Sequence, residues 1–114
     1  MKLEKNDGVA TITPEKEVKW YETDELRSLL NKLLNDDETQ IVEIDCQNIK
    51  FPICTAVMRI ILSMNNKFKS HKEGKIVLTN VWGHLAIALR TISFHHVMEV
   101  HYNKWFFAKS ANGM

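Results

Sequence analysis

The sequence is poor in the residues that form the common catalytic and cofactor-binding loops. Only four of its 114 residues are glycine, and none lies close to another. A phosphate-binding loop needs several glycines after a strand, so nucleotide binding through such a loop is not expected. The H-E-x-x-H and C-x-x-C metal patterns and the spacing of a nucleophile elbow are also absent. We therefore predict no catalytic residues, no metal, no cofactor and no enzymatic activity.

Disulfides, membrane spans and an excess of basic charge are missing as well. Two cysteines, Cys46 and Cys54, are too few for a disulfide framework. The charged N-terminus differs from a signal peptide, and no apolar run approaches the roughly 18 residues of a membrane helix. Fifteen basic residues stand against fourteen acidic ones, which does not favour nucleic acid as a partner. The sequence thus predicts a reduced, cytoplasmic protein without membrane insertion.

The rest of the chain alternates β-prone runs with amphipathic helices. Periodicity predicts four strands: Val9–Thr13, Gln40–Cys46, Lys75–Thr79 and Val97–Tyr102. A shorter run, Glu17–Trp20, is expected to return along the first strand as a hairpin. Basic residues gather where the second helix should end, where cations interact well with the helix dipole: Lys67, Lys69, His71, Lys72 and Lys75.

Three helices are predicted between these strands. The first begins at Thr23 and carries a leucine stripe: Leu26, Leu29, Leu30, Leu33 and Leu34. The second spans residues 55–70 and buries Val57, Ile60, Ile61, Met64 and Phe68. The third is expected to be capped by Asn80, with an inner face of Leu85, Ala88, Leu89 and Ile92. Lys104–Lys109 is predicted as a short helix or an apolar tail.

This order, β-β-α-β-α-β-α-β, predicts an α/β fold with a mostly parallel sheet. A chain of 114 residues suits one domain with one core. We expect residues 1–114 to form that single domain, with its core between about residues 9 and 108. The sequence does not indicate an oligomeric state.

The segment from Gln40 to Leu62, QIVEIDCQNIKFPICTAVMRIIL, resembles the signature region of STAS domains, the fold of bacterial anti-sigma factor antagonists. In that family a strand ends in an aspartate, a loop with an aromatic follows, and Asp-Ser-Ser/Thr-Gly then precedes an apolar helix. Asp45 and Phe51 match the first two features. The four motif positions are occupied here by Ile53, Cys54, Thr55 and Ala56. The later run GKIVLTNVWGHLAIALRTISFHHVMEVH is similar to the family's next strand, helix and closing strand.

The resemblance implies a protein-interaction module that acts by partner switching in transcription regulation. In the family, a kinase that is itself the anti-sigma factor phosphorylates the motif serine and so breaks the complex. Cys54 stands at that acceptor position and is not a substrate for such a kinase, while the neighbouring Thr55 remains a possible acceptor. The expected partner is an anti-sigma factor of the ATPase-type kinase class. It would bind Phe51, Pro52, Ile53, Cys54, Thr55 and Ala56.

Several alternatives stay open at this point. The chain could instead be the STAS subunit of a lipid-transport or other multiprotein complex, or a thiol redox sensor that uses Cys54. A cysteine beside apolar residues is more typically a small buried side chain. Thr55 is expected to cap the second helix. The apolar loop Phe51–Pro52–Ile53 either closes the edge of the core or forms the exposed partner surface.

Overall fold

A five-stranded mixed sheet carries three helices in the computed structural model, which describes residues 2–15, 23–49 and 53–103. The strands are β1 (Lys2–Asn6), β2 (Val9–Thr13), β3 (Ile41–Asp45), β4 (Lys75–Val81) and β5 (Glu99–Tyr102). The helices are α1 (Thr23–Leu34), α2 (Thr55–Lys72) and α3 (Gly83–Thr91), followed by a short 3₁₀ turn at Phe94–His96. The predicted α/β class and alternating order are confirmed.

The strands lie side by side in chain order, from β1 to β5. β1 pairs with β2 in antiparallel fashion, and every later pair is parallel. Because right-handed crossovers between consecutive parallel strands all return on the same side, the three helices cover one face of the sheet. That face holds the core, in which Val42 aligns with Ala10 and Ile76 and all three are fully buried.

Helices α1 and α2 bury the stripes that their periodicity predicts, except that Leu29 and Leu34 of α1 are only half-buried. In α1, Leu26, Leu30 and Leu33 are buried. In α2 all five predicted residues are buried, together with the polar Asn65, whose side-chain oxygen accepts a hydrogen bond from the Ile76 amide at 2.9 Å. Within the described ranges, no helix combines the length and apolarity that crossing a bilayer requires.

The N-terminal hairpin differs from the prediction. The antiparallel partner of β2 is β1, Lys2–Asn6, joined by a turn in which Asp7 and Gly8 both have positive φ. β1 was not predicted because it is charged and all five of its residues are exposed, so it has no alternating apolar pattern. The predicted return strand Glu17–Trp20 and the predicted tail Lys104–Lys109 lie outside the described residues.

The start and the inner face of α3 also differ from the prediction. β4 continues to Val81, and Asn80 lies within it at φ +53° instead of capping the helix, whose N-cap is Trp82. Ala86 is buried in place of Ala88, which is only half-buried. Ile92 is 66% exposed because α3 ends at Thr91, one residue before it.

Candidate functional site

The carboxyl ends of the parallel strands form the edge at which open α/β sheets usually bind their ligands. Asp45 ends β3 there and accepts three hydrogen bonds. The backbone amide of Gln47 donates at 3.0 Å and its side-chain amide at 2.9 Å. The Asn80 side chain donates at 3.0 Å from the neighbouring strand. Asp45 therefore fixes the turn after β3 and ties it to β4.

Two further contacts hold this turn in place. The Trp82 indole N–H donates to the carbonyl oxygen of Gln47 at 2.8 Å, and the Asn48 side chain donates to the carbonyl oxygen of Pro14 at 3.2 Å. Asn80 and Trp82 were not recognised as site residues from the sequence. The available signal was an asparagine at the end of a strand, since asparagine tolerates the left-handed conformation found here. The turn is thus anchored to both neighbouring strands.

The N-terminus of α2 has no side-chain cap from its own N-cap residue. Cys54 is the N-cap residue, with extended backbone angles of φ −65° and ψ 155°, and its side chain makes no capping hydrogen bond. Its carbonyl oxygen accepts the first helical bond, from Met58 at 3.1 Å. The first turn of α2 contains no acidic residue. The positive end of the helix dipole therefore has no carboxylate from the first turn of α2 beside it.

Two predictions about this helix start are wrong. Cys54 is exposed, whereas the buried cysteine is Cys46. Burial raises the pKa of the Cys46 thiol to about 12, with a smaller contribution from the Asp45 charge. Cys54 escapes burial because it precedes the first turn, while the inward stripe of α2 begins at Val57. Thr55 is not the cap, because it is already the first residue of α2 and Cys54 occupies the N-cap position.

The predicted partner segment is divided between core and surface. Ile53 is half-buried and packs against the core, whereas Cys54, Thr55 and Ala56 are all exposed. Phe51 and Pro52 lie outside the described residues. Over the part of the chain that is described, no cluster of three histidine, cysteine or acidic side chains could hold a metal ion. At this edge the start of α2 therefore exposes three small, uncharged side chains.

In sequence, no protein-family model and no curated protein matches the chain. Solved structures match it in fold. A candidate anti-sigma factor antagonist from Thermotoga maritima superposes with a TM-score of 0.77 at 12% identity, over 96% of this chain and 92% of the other. An anti-sigma factor antagonist (STAS) domain protein from Planctomyces limnophilus gives 0.72 at 15% identity, over 91% and 90%. The anti-sigma factor antagonist SpoIIAA in its unphosphorylated form gives 0.71 at 10% identity, over 99% and 98%.

These superpositions span nearly the whole of each chain at low identity, so they compare architecture and not individual side chains. They match the five-stranded mixed sheet and the three helices described above. The resemblance that the segment Gln40–Leu62 carries in sequence is therefore matched by the fold. The chain is an α/β domain with the fold of STAS domains.

Proposed function

We propose that this chain is a non-catalytic protein-interaction module of the anti-sigma factor antagonist type, without the usual serine phosphorylation switch. Its partner would bind the segment Phe51–Ala56 at the start of α2. An anti-sigma factor of the ATPase-type kinase class is the partner that the resemblance favours. The module would act in the cytoplasm, in transcription regulation by partner switching, where its two free thiols remain reduced.

The exposed Cys54 at the start of α2 carries this proposal. The resemblance sets this residue at the position of the family's phosphorylated serine, and its neighbours Thr55 and Ala56 are exposed as well. A surface of small, uncharged side chains lets a partner approach the start of α2 closely, where the positive end of the helix dipole lies. The sulfhydryl in place of a hydroxyl supports the loss of the switch.

Cys54→Asp tests the proposed surface with two readouts that should move in opposite directions. Aspartate is a preferred N-cap, so the free energy of unfolding should rise by about 0.5–1 kcal/mol. The same carboxylate places negative charge where the family's phosphate would lie, and burying it under a partner without a counter-charge should weaken binding. Calorimetry with a purified anti-sigma factor and thermal unfolding measure the two effects. Stronger folding with unchanged binding would overturn the proposed surface.

Cys54→Ser is the matched control for this experiment. Serine keeps the size of the side chain, restores the hydroxyl and adds no charge, so it should bind the partner as wild type does. Incubated with ATP and an anti-sigma kinase, this variant should gain one phosphate by intact mass, while the wild type gains none. Phosphate on Thr55 of the wild type would contradict the loss of the switch.

The exposure of Cys54 also favours a second function, a thiol redox sensor. A peroxide would oxidise its thiolate to a sulfenic acid, with the peroxide reduced to water or an alcohol. Peptide mass mapping after mild peroxide treatment should then find the added oxygen on Cys54 and not on Cys46. An unoxidised Cys54 under conditions that oxidise a free thiol control would reject this function.

A further inference from the structure

A basic groove runs between α1 and α2 on the outer side of the helical layer. It has a volume of about 410 Å³. Its cations are Arg27 from α1 and Arg59 and Lys67 from α2, and Ile60 and Met64 contribute its apolar floor. Ala56 also lines it, so the groove begins beside the exposed start of α2.

The spacing of these residues sets the dimensions of the groove. Both helices return from the carboxyl to the amino edge of a parallel sheet and therefore run in the same direction. Arg59 and Lys67 lie two turns apart on one side of α2, roughly 12 Å along the axis at 1.5 Å per residue. An extended peptide rises about 3.3 Å per residue, so about four of its residues fit between these two cations.

The charged side chains that line the groove are all positive. No carboxylate lines it among the described residues. In the same ranges neither Arg59 nor Lys67 forms an ion pair, and Arg27 has only a long contact of 3.8 Å with the exposed Asp24. Glu25 lines a different groove, on the other side of α1. Three cations around an apolar floor, in a chain whose formal net charge is only +1, are complementary to a ligand that is acidic and partly apolar.

We propose that this groove is a docking site for an acidic segment of a protein partner, in which carboxylates contact Arg27, Arg59 and Lys67 and an apolar side chain packs on Ile60 and Met64. Nucleic acid fits less well, because a phosphate backbone would leave that apolar floor without a partner. Because Ala56 also belongs to the proposed partner segment, this docking site rests on the proposed function and names the chemistry of the partner.

A fluorescein-labelled peptide of alternating glutamate and leucine tests the proposal by fluorescence anisotropy. The wild type should bind it, and binding should weaken as salt is raised. Lys67→Glu should weaken binding roughly tenfold, because one attraction becomes a repulsion, and Arg59→Glu with Lys67→Glu should abolish it. Lys69→Glu is the matched control, since Lys69 is an exposed cation of the same helix outside the groove. The Lys69→Glu variant should bind the peptide as the wild type does.

Each other outcome overturns the docking site. Equal affinities of Lys67→Glu and Lys69→Glu would place the peptide elsewhere. If a peptide with glutamine in place of glutamate bound as tightly as the glutamate peptide, charge would not determine the binding. Tighter binding of a single-stranded oligonucleotide, lost in Lys67→Glu, would assign the groove to nucleic acid. The Cys54→Asp variant keeps all three cations of the groove. It should therefore still bind the acidic peptide, so the partner segment and the groove are tested by separate measurements.

Discussion

The two edges of the parallel sheet are built in contrasting ways. At the amino edge, the Lys72 ammonium donates to the carbonyl oxygens of Leu33 at 3.2 Å and Asp36 at 2.7 Å, which closes the end of α1. The Gln40 side chain donates to the Lys72 carbonyl oxygen. At the carboxyl edge, the turn after β3 is anchored, but the start of α2 makes no side-chain capping bond. One edge is closed by its own side chains, and at the other the N-cap residue of α2 provides no side-chain cap.

Under the proposed function, the amino edge supplies stability and the start of α2 at the carboxyl edge binds the partner. Substitutions at the amino edge should lower the free energy of unfolding and leave partner binding unchanged per folded molecule. Substitutions at the start of α2 should change binding with little loss of stability. The following predictions test the stability half of the comparison, from the largest expected effect to the smallest.

Gly74→Ala should be the most destabilising change. A Cβ at this position would lie 2.1 Å from the carbonyl oxygen of Gln40, which is backbone and cannot move without shifting the start of β3. We expect a loss of about 3 kcal/mol in the free energy of unfolding, measured by chemical denaturation. Gly8→Ala is the control, because its Cβ would come no closer than 3.6 Å to the Glu38 carbonyl oxygen and only its φ of +82° is strained. A cost there of about 1 kcal/mol is expected, and equal losses would contradict the close contact at Gly74.

Asn65→Ala should cause the next largest loss in the free energy of unfolding. It removes the acceptor of the buried Ile76 amide, and an unsatisfied buried donor costs about 2 kcal/mol. The adjacent Asn66 is exposed, so Asn66→Ala should change the free energy of unfolding by less than about 0.5 kcal/mol. Similar values for the two variants would show that the bond between α2 and β4 contributes nothing.

Asp36 should make the stabilisation of the amino edge depend on pH in the acidic range. The Lys5 ammonium at 2.6 Å, the Glu38 amide and the Thr39 hydroxyl lower the pKa of Asp36 from 3.8 to about 2. A carboxylate whose pKa is lower in the folded state stabilises the fold above its unfolded pKa, and that contribution is lost as the pH falls. The stability difference between wild type and Asp36→Asn should therefore shrink between about pH 4 and pH 2. A difference that stays constant over that window would contradict this role.

The sequence predicted the elements whose burial is periodic and missed those that depend on tertiary contacts. The stripe of α2 was predicted residue by residue, because 3.6-residue periodicity reflects which face meets the sheet. β1 carries no such signal, since its five residues are all exposed at the sheet edge. Asn80 was misassigned because a register shift between Leu78 and Val81 extends β4 beyond its regular pairing.

The candidate site was predicted only in part, for a similar reason. The motif located the segment from Ile53 to Ala56, but apolar neighbours in the sequence did not show that Cys54 is exposed, because it precedes α2, whose buried stripe begins at Val57. The basic groove could not be predicted, because Arg27 and Lys67 come to line the same groove only when α1 and α2 pack together. Local patterns predict faces of elements, whereas grooves arise between elements.

Thiol labelling with and without a bound partner tests most directly whether the start of α2 is the binding surface. The two cysteines provide an internal comparison, since Cys54 is exposed and Cys46 is buried. In the free protein, Cys54 should react at once with a maleimide, and Cys46 only after unfolding. With a saturating partner, labelling of Cys54 should slow strongly while the protein stays folded. An unchanged rate at Cys54 in the complex would contradict the account and place the interface elsewhere on the domain.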